Sequence, residues 1–441
     1  MSDKHRIVVI GGGFGGLNFA KKIDKKTFDV TVVDCNNYHS FPPLFYQVAS
    51  GGLEPASISF PLRSEFHGRR LRGVRFVMGR VSTIDTTART VITDYDEISY
   101  DTLVIAAGTT NNFFGIEGLE ERVLTLKSTS EAIRARNEIL LRLEHATMET
   151  DPARRRSLLT FAVVGGGPTG VEIAGALGEM KRYVIARDYP TLDVSEVRVI
   201  LVEGSDRLLR TMSLKSSADA YADLIKLGVD VRLSTAMKSY DGETLNFSDR
   251  SSIEAKTLIW TAGISAVTFK FIGTDVKPGP GGRLVTDAFN LVEGTDNIYA
   301  IGDIALHTDE SYPRGCPQLA QVAIQQGATL ARNLNRPDDR KPFEYNDKGS
   351  MATIGRNRAV VDMKHVHFRG WFAWIVWMGV HLMSLLGMRK KAIVLLNWTW
   401  SYFSFSSALR LILRPSCQPE GEDSCCEEGY KACKSWIKKN V

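Results

Sequence analysis

The sequence is poor in cysteine, with six in 441 residues, and four of these lie in the last twenty-five positions. Only Cys35 and Cys316 remain in the body of the chain, which excludes a framework of disulfides and favours a reducing compartment. No apolar segment with a small-residue cleavage site precedes the first strand, so a secretory signal is not expected. The tail, residues 415–441, has no C-x-x-C pair and no histidine, and we expect no metal site there.

The excess of positive charge is also small. Fifty-five Lys and Arg against fifty Asp and Glu leave a formal net charge of +5, which does not indicate nucleic acid as a partner. With 44% hydrophobic and 24% charged residues, the chain has the composition of a globular protein. Its length is enough for two or three domains.

Acidic residues are missing between Asp362 and Glu420, where seven Lys or Arg and five of the seven tryptophans lie. The most apolar segment there, Trp371 to Leu386, is shorter than the roughly twenty residues that a membrane-spanning helix needs. Aromatic residues with basic flanks are typical of helices that lie in the headgroup boundary of a membrane. We therefore expect residues 365–414 to contact a bilayer surface, with a soluble dimer interface as the alternative.

The chain contains an internal repeat. In each copy an apolar strand runs into a glycine cluster and a helix, and then come a strand ending in an acid and a closing strand ending in Ala-Gly. From first glycine to closing glycine, the separation is 97 positions for Gly11 to Gly108 and 98 for Gly165 to Gly263. Several features in register predict two Rossmann-like dinucleotide-binding domains, an α/β fold.

The first copy carries the full dinucleotide pattern. Gly11 permits a tight turn, Gly13 lets the backbone approach a pyrophosphate, and Gly16 lets the helix pack closely on the strand. The amino end of that helix favours phosphate. Asp34 follows 23 positions after Gly11, close to the usual spacing of an acid that accepts ribose hydroxyls.

The second copy differs in spacing. Its acid, Glu203, follows Gly165 by 38 positions, and the polar insertion 187–195 explains the excess. A carboxylate at the ribose would repel a 2'-phosphate and so favour NADH over NADPH, although Arg207 and Arg210 lie nearby. Two such domains in one chain predict one bound flavin and one diffusible nicotinamide. Gly302-Asp303, after a later strand, would supply partners for a ribityl hydroxyl and the pyrophosphate of the flavin.

The sequence resembles the type II NADH:quinone oxidoreductases, single-subunit FAD enzymes of the membrane surface, over about residues 1–414. The resemblance is carried by VVIGGGFGGL, NNYHSFPPLFYQVASG, VIAAGTTNNFFG, VVGGGPTGVEIAGAL, LIWTAG, IYAIGD, LAQVAIQQG, KGSMATIGRNRAV and LLNWTWSYFSF. It implies tightly bound FAD, NADH and a membrane quinone as substrates, and a homodimer. It implies cofactor contacts at Gly11, Gly13, Phe14, Gly15, Gly16, Asp34, Gly108, Gly302, Asp303 and Gln321, and nicotinamide contacts at Gly165, Gly167, Gly170, Glu172, Glu203 and Gly263.

Three polar residues are candidates for the quinone chemistry. Gln321 and Gln325 are four positions apart, so on a helix they share a face, and their amides could donate to quinone carbonyls. The alternative is that they satisfy local backbone. Glutamine cannot supply protons, whereas a buried Glu172 with a raised pKa could. The alternative for Glu172 is a carboxylate that caps its helix or binds ribose.

The scarcity of cysteine also distinguishes related chemistries. Disulfide reductases and sulfide:quinone reductases need a cysteine pair beside the flavin, and Cys35 has no partner nearby in sequence, so electrons should leave the flavin directly. We expect two-electron transfer from NADH to quinone without proton pumping, on the cytoplasmic side of the cell membrane. The alternatives are an NADH-binding flavin redox sensor with little turnover, a sulfide:quinone reductase-like enzyme and an oxidase that uses dioxygen.

The expected domain organisation follows from these motifs. An FAD-binding domain is expected at residues 1–115 and 283–360, an NADH-binding domain at 116–282, an anchor at 361–414 and a polar tail at 415–441.

Overall fold

The computed structural model of the chain describes residues 4–68, 71–364, 366–404 and 409–413. The tail 415–441, for which the sequence predicts no metal site, lies outside the described residues. Within the expected anchor, residues 365, 405–408 and 414 lie outside them as well.

The described part of the chain alternates helices and strands. The α-helices are α1 (Phe14–Lys22), α2 (Phe45–Ala49), α3 (Leu62–His67), α4 (Leu119–Arg122), α5 (Thr129–Met148), α6 (Pro152–Leu158), α7 (Pro168–Glu179), α8 (Ala186–Asp188), α9 (Leu214–Lys226), α10 (Ala320–Asn335), α11 (Trp371–Ser384) and α12 (Met388–Ser404).

The strands are mostly short. They are β1 (His5–Ile10), β2 (Phe28–Asp34), β3 (Tyr38–Ser40), β4 (Ser59–Pro61), β5 (Val74–Met78), β6 (Val81–Asp85), β7 (Thr90–Thr93), β8 (Glu97–Ser99), β9 (Thr102–Ile105), β10 (Thr109–Asn111), β11 (Thr160–Val164), β12 (Arg198–Val202), β13 (Val229–Arg232), β14 (Met237–Tyr240), β15 (Thr244–Phe247), β16 (Ser252–Glu254), β17 (Thr257–Trp260), β18 (Ile264–Ala266), β19 (Lys270–Ile272), β20 (Leu284–Thr286), β21 (Ile298–Ala300), β22 (Ala305–His307), β23 (Ser350–Thr353), β24 (Ala359–Asp362) and β25 (His367–Arg369).

Two parallel sheets dominate the fold. The first has the order β21-β9-β1-β2-β5 and the second the order β13-β12-β11-β17. Strands β9, β11 and β17 are buried along their whole length, as expected of parallel strands covered by helices on both faces. In each sheet the glycine-preceding strand, β1 or β11, lies between the acid-ending strand and the closing strand. The predicted fold of two Rossmann-like units is confirmed.

This strand order fixes where a ligand can bind. The chain leaves β1 towards β2 on one side and later returns as β9 on the other, and β11 has the same arrangement with β12 and β17. Such a switch in strand order opens a crevice at the carboxyl end of the central strand. That end carries Gly11 in the first sheet and Gly165 in the second. The two units are joined by the antiparallel ribbon β10–β18.

The last elements pack on this frame. Strands β23, β24 and β25 form an antiparallel sheet that leads into α11 and α12. Ala373, Trp377, Leu385 and Val394 of this region are buried in the same core cluster as apolar residues of α5 and α7. The two helices are therefore part of the core, and they expose other apolar side chains. Among the described helices, none combines the length and the apolar character required to cross a membrane.

Candidate active site

The first glycine loop is shaped by backbone contacts. Gly11 has φ +105°, and a Cβ there would lie 2.4 Å from the carbonyl oxygen of Ala106. A Cβ at Gly16 would lie 2.0 Å from the carbonyl oxygen of Gly11, so close packing of helix and strand requires glycine at both positions. At Gly13, by contrast, no atom of the described residues beyond the chain neighbours lies within 4 Å of a Cβ position. The loop thus excludes side chains at Gly11 and Gly16 and leaves open space at Gly13. We call such a glycine loop a cradle, and its shape fits a pyrophosphate.

Asp34 holds this loop from the side. One carboxylate oxygen accepts from the backbone N–H of Gly12 at 2.6 Å, and the other accepts from that of Asn36 at 2.7 Å. Burial raises the pKa of Asp34 despite these hydrogen bonds. The predicted ribose acid therefore also orients the loop, and its remaining lone pairs are those that a ribose hydroxyl would use.

A histidine that the sequence analysis did not single out supports the same loop. His39 is buried, and its Nδ1 lies 2.9 Å from the carbonyl oxygen of Gly12. Burial lowers its pKa to about 4, so the ring is neutral at physiological pH. The ring of Phe14, a predicted cofactor contact, packs edge-on against His39 and Phe41 at 5.2 and 5.7 Å between centroids. Polar residues after a strand such as β2 are the signal that could have identified His39.

The second loop repeats this geometry. Gly165 has φ +113°, and a Cβ at Gly170 would lie 1.7 Å from the carbonyl oxygen of Gly165. Glu203 accepts from the backbone N–H of Gly166 at 2.5 Å, as Asp34 does in the first loop. Apart from chain neighbours, no atom of the described residues approaches a Cβ position at Gly167 within 4 Å. The chain thus presents two matched cradles, and each fits a dinucleotide.

The predicted Gly-Asp pair lies between the two units. Gly302 has φ +78°, and Asp303 is mostly buried. Burial raises the pKa of Asp303, while the positive charges of Lys127 and Arg283 oppose that rise. Lys127, which the sequence analysis missed, donates to the hydroxyl of Thr109 at 2.6 Å. A carboxylate facing two buried cations can accept from a ribityl hydroxyl.

The other predicted small residues have different surroundings. Gly108 has φ +69° and begins the ribbon that joins the units. A Cβ at Gly15 would touch Ile301 at 3.4 Å, so this glycine packs against the residue that follows β21. A Cβ at Gly263 would lie 2.6 Å from the ring of Phe114, so this glycine makes room for the first unit. Its position serves packing between the units.

The two candidate glutamines share a face of α10, and their side-chain amides bind backbone groups of residues 346–349. Gln321 donates to the carbonyl of Gly349 at 3.1 Å and accepts from the N–H of Lys348 at 3.2 Å. Gln325 makes the same pair of bonds to the backbone of Asn346, at 2.9 and 3.0 Å. The amides therefore hold the segment before β23, and each retains a second N–H. The alternative considered from the sequence was local backbone, but the amides bind a distant segment; a quinone contact through the second N–H groups stays a prediction.

The neighbouring Gln326 was not predicted. It is buried, and its side-chain oxygen accepts from the N–H of Gly302 at 2.7 Å. Its Nε2 has no hydrogen-bond partner among the described residues. A buried amide donor beside Gly302 is a feature that a cofactor oxygen would satisfy.

Glu172 lies where α7 meets the C-terminal helices. It is 7% exposed, and burial raises its pKa to about 8, opposed by a hydrogen bond from the backbone of Thr353 and by the indole N–H of Trp377. That indole is near enough to stabilise the carboxylate without a hydrogen bond of standard geometry to the described residues. Thr353 is four positions after Gly349, about 13 Å along an extended strand. Strand β23 therefore links Glu172 with the glutamines of α10.

A second, partly buried carboxylate lies on the same helix face. Glu179 is seven positions, two helical turns, after Glu172, which is a signal that the sequence offered. It accepts from the backbone N–H of Arg356 at 2.5 Å, and burial raises its pKa. A π-helical segment, Met180–Ile185, follows directly. Such segments recur at functional sites.

Beside these carboxylates is a cavity of about 150 Å³ between α7 and the C-terminal helices. Its lining includes Tyr46, Gln47, Trp377, Trp398 and Arg356. Gln47 connects α2 with α12 across this cavity. Its side chain accepts a hydrogen bond from the indole of Trp398 and donates one to the hydroxyl of Tyr46, both at 2.8 Å. An aromatic cavity with a few fixed polar groups suits a flat, partly polar ring.

The two cysteines among the described residues are both free thiols. Cys35 is an exposed free thiol and Cys316 a buried one. Burial raises the pKa of Cys316 to about 11, which keeps it protonated. Within the residues that the structure describes, no cluster of histidine, cysteine and carboxylate side chains could hold a metal ion.

Comparison with known proteins agrees with this geometry. Residues 5–327 match the family described as pyridine nucleotide-disulphide oxidoreductase, and residues 348–404 match the NDH2 C-terminal domain. Two similar proteins of Mycobacterium tuberculosis, type II NADH:quinone oxidoreductases Ndh and NdhA, are each 35% identical. The matches cover 91% of this chain and 89% and 88% of those proteins.

The fold is also that of a solved relative. The structure of NDH2 from Plasmodium falciparum in complex with NADH matches with a TM-score of 0.85 at 21% identity, covering 93% of this chain and 100% of that one. The resemblance inferred from the motifs is confirmed. The chain belongs to the pyridine nucleotide-disulphide oxidoreductases and, among them, to the type II NADH:quinone oxidoreductase family.

Proposed function

We propose that this enzyme transfers two electrons from NADH through one tightly bound FAD to a membrane quinone, at the cytoplasmic surface of the membrane and without proton pumping. The observation that carries the proposal is the pair of matched cradles, each open at its third glycine, Gly13 or Gly167. One chain can thereby hold a resident dinucleotide and receive a diffusible one. With only free thiols in the described residues, no cysteine pair is placed to intervene.

The two cradles have separate roles in this proposal. FAD occupies the first, in a domain formed by residues 1–115 and 283–360, with its pyrophosphate at Gly13 and its ribityl chain near Asp303. NADH occupies the second, in residues 116–282, with its ribose at Glu203. The buried amide of Gln326 and the mostly buried Asp303 add polar groups near the first cradle, which suits a cofactor that stays bound.

Bound FAD supplies the electron-carrying chemistry, and the chain supplies position and protons. Quinol formation consumes protons, and Glu172, with a pKa of about 8, carries one at neutral pH. Its burial keeps that proton from bulk water until a basic oxygen arrives. Gln321 and Gln325 hold the 346–349 segment in place and offer their second N–H groups to the quinone.

The quinone reaches this region from the side of the C-terminal helices. The cavity lined by Tyr46 and Trp398 lies next to Trp377, whose indole meets Glu172. A quinone tail can stay in lipid while its ring enters between aromatic side chains. Residues 365–414 are the proposed contact with the bilayer surface.

The proposed assembly is a homodimer. Light scattering after size-exclusion chromatography would measure its mass.

An anaerobic titration tests the function directly. NADH added to the purified protein should bleach the flavin absorbance with one equivalent per chain, and a short-tail quinone should restore it. A protein that is bleached by NADH but recovers negligibly with quinone would instead be a redox sensor. Recovery only with disulfide or polysulfide oxidants, or a protein that takes up no FAD, would contradict the proposal.

Replacing the acid of the second cradle should change the cofactor preference. We expect Glu203→Gln to raise the ratio of kcat/KM for NADPH over NADH by about 10-fold, because the charge that repels a 2'-phosphate is lost. The glutamine oxygen can still accept from Gly166. The measurement is steady-state reduction of an artificial dye with each nucleotide, and Glu254→Gln, an exposed acid of β16, is the matched control. An unchanged ratio would place the ribose elsewhere.

The exposed apolar residues of the last helices should anchor the enzyme. Phe372 is 62% exposed and Leu396 is 68% exposed. We expect Phe372→Ser with Leu396→Ser to weaken binding to neutral lipid vesicles by about 150-fold or more, since each buried apolar side chain contributes about 1.5 kcal/mol or more. Vesicle sedimentation measures this, with dye reduction by NADH as the check on folding. Deleting the helices is a poorer test, because Trp377 and Val394 belong to the core.

A further inference from the structure

A basic surface outside the C-terminal helices lies on α3 and β5. Residues 63–80 contain six arginines against the single acid Glu65. Of the basic side chains there, Arg63, His67, Arg72, Arg75 and Arg80 are exposed, and the first four lie on α3, on β5 and in the loop between them. Positions 69 and 70 are also arginine in the sequence but lie outside the described residues. No part of the proposed redox chemistry uses this concentration of positive charge.

Three of these side chains border an open cavity of about 420 Å³. Arg63, His67 and Arg72 form its polar lining, and the rings of Phe66 and Phe76 form its floor. The guanidinium of Arg63 lies 5.2 Å from the ring centre of Phe76, a cation–π contact, and the side chain remains exposed to solvent. The site therefore combines cations with an apolar base.

This cavity is distinct from the dinucleotide cradle. In the parallel pair β2–β5, Val30 pairs with Val74 at the amino ends, and Asp34 pairs with Met78 at the carboxyl ends. Asp34 belongs to the cradle, whereas the cavity is lined by Arg72, Gly73 and Val74. The two sites are at opposite ends of β5.

The surface adjoins the C-terminal helices. Lys390 of α12 donates to the carbonyl oxygen of Ser59, and its ammonium lies 4.2 Å from the ring centre of Phe60. Leu386, in the turn between α11 and α12, packs against the core cluster that contains Leu62 and Phe66 of α3. The exposed basic side chains of α3 and β5 are thus close to the basic residues at the start of α12, Arg389, Lys390 and Lys391.

We propose that the basic surface formed by Arg63, His67, Arg72 and Arg75 binds the headgroups of anionic phospholipids beside the anchor. The inference rests on the proposed membrane location and adds a second, electrostatic contact to it. Hydrophobic helices alone hold the protein at the surface but leave its tilt free. A charged contact on the FAD-binding unit restricts that tilt, because it ties a second part of the molecule to the same lipid plane.

Continuity with the anchor favours lipid over nucleic acid as the anionic partner. The overall charge of +5 is modest, and the positive surface is adjacent to the helices that expose apolar residues. Phosphodiester groups of a bilayer would meet the cations at the depth where the helices end.

Vesicle binding by the full-length holoenzyme tests the proposal. The test variant is Arg63→Gln with Arg72→Gln, and Arg63→Lys with Arg72→Lys keeps the charge. The matched control, Lys238→Gln with Lys277→Gln, removes two exposed cations outside this surface. The probes are vesicles of phosphatidylcholine alone and vesicles that also contain phosphatidylglycerol.

We expect the double glutamine variant to lose about 10- to 30-fold in affinity for the phosphatidylglycerol vesicles, since each cation near an anionic surface contributes about fivefold. Its affinity for phosphatidylcholine vesicles, its melting temperature and its flavin content should stay at wild-type values. The lysine variant and the matched control should bind both vesicles like the wild type.

The outcomes separate this inference from the proposed anchor. A wild type that binds phosphatidylcholine but gains nothing from phosphatidylglycerol would overturn the headgroup site and leave the anchor intact. A wild type that binds neither vesicle would overturn the membrane location itself. Equal losses in the matched control would show that net charge, not this surface, is responsible. Loss of short-duplex DNA binding with unchanged vesicle binding would assign the surface to nucleic acid.

Discussion

Gly13→Asp is expected to give a folded but colourless protein. The backbone at Gly13 has φ −73° and ψ −163°, which any residue adopts, and it is the N-cap position of α1, where aspartate is favoured. The fold should therefore tolerate the change. The new carboxylate, however, would lie at the phosphate position, where two like charges about 4 Å apart repel by about 4 kcal/mol. We expect flavin affinity to fall about 1,000-fold or more, measured by absorbance and by FAD titration of the apoprotein.

The equivalent change in the second cradle should have a different result. Gly167 is the N-cap of α7, with φ −72° and ψ −178°, so Gly167→Asp should also fold. We expect this protein to keep its flavin colour while its KM for NADH rises at least 100-fold. Gly13→Asn and Gly167→Asn are the matched controls, since asparagine has the same size without the charge. If both aspartate variants keep flavin and normal KM, the two cradles do not bind these nucleotides.

Replacing Glu172 should abolish most quinone reduction while sparing dye reduction. A positioned acid typically contributes 100- to 10,000-fold, and we expect Glu172→Gln to reduce kcat with quinone at least 100-fold at pH 7. Ferricyanide takes up electrons without protons, so its rate should change little. With the wild type, quinone reduction should decline above about pH 8 as the carboxyl loses its proton, and this decline should be absent in the variant.

The same residue predicts a stability effect that needs no turnover. Because the pKa of Glu172 is raised to about 8 by burial, the unfolded chain loses this proton at lower pH than the folded protein. The stability that the neutral carboxyl provides is complete below about pH 4.5 and is lost as pH rises to about 8, by roughly 3 to 5 kcal/mol. The melting temperature of Glu172→Gln should lack this decline. If the melting temperatures of the wild type and Glu172→Gln change with pH in the same way from pH 5 to 9, the raised pKa does not belong to Glu172.

Much of the site was predictable because its chemistry is local. The tight turn at Gly11, the open position at Gly13 and the acid at Asp34 lie within one strand–loop–helix–strand unit, and the unit recurs with Gly165 and Glu203. A backbone position that only glycine can occupy is directly visible in the sequence. The sequence also showed that the apolar segment near the C-terminus is too short to span a membrane. Among the described helices, none is long and apolar enough to do so.

The sequence was less informative wherever distant segments meet. It gave no indication that the amides of Gln321 and Gln325 also bind the backbone at 346–349. It did not identify His39 or Lys127, because neither belongs to a repeated motif. Spacing alone cannot say which backbone groups a side chain will find across the fold.

By itself the sequence determined that two dinucleotide cradles exist, since their glycines and acids are imposed by backbone sterics within short segments. Only the tertiary structure decided what surrounds Glu172. Its neighbours come from α2, β23 and α11, and Trp377 is about two hundred positions away in the chain. The physical reason is that a pKa depends on burial and on nearby dipoles, and both are created by the packing of remote elements.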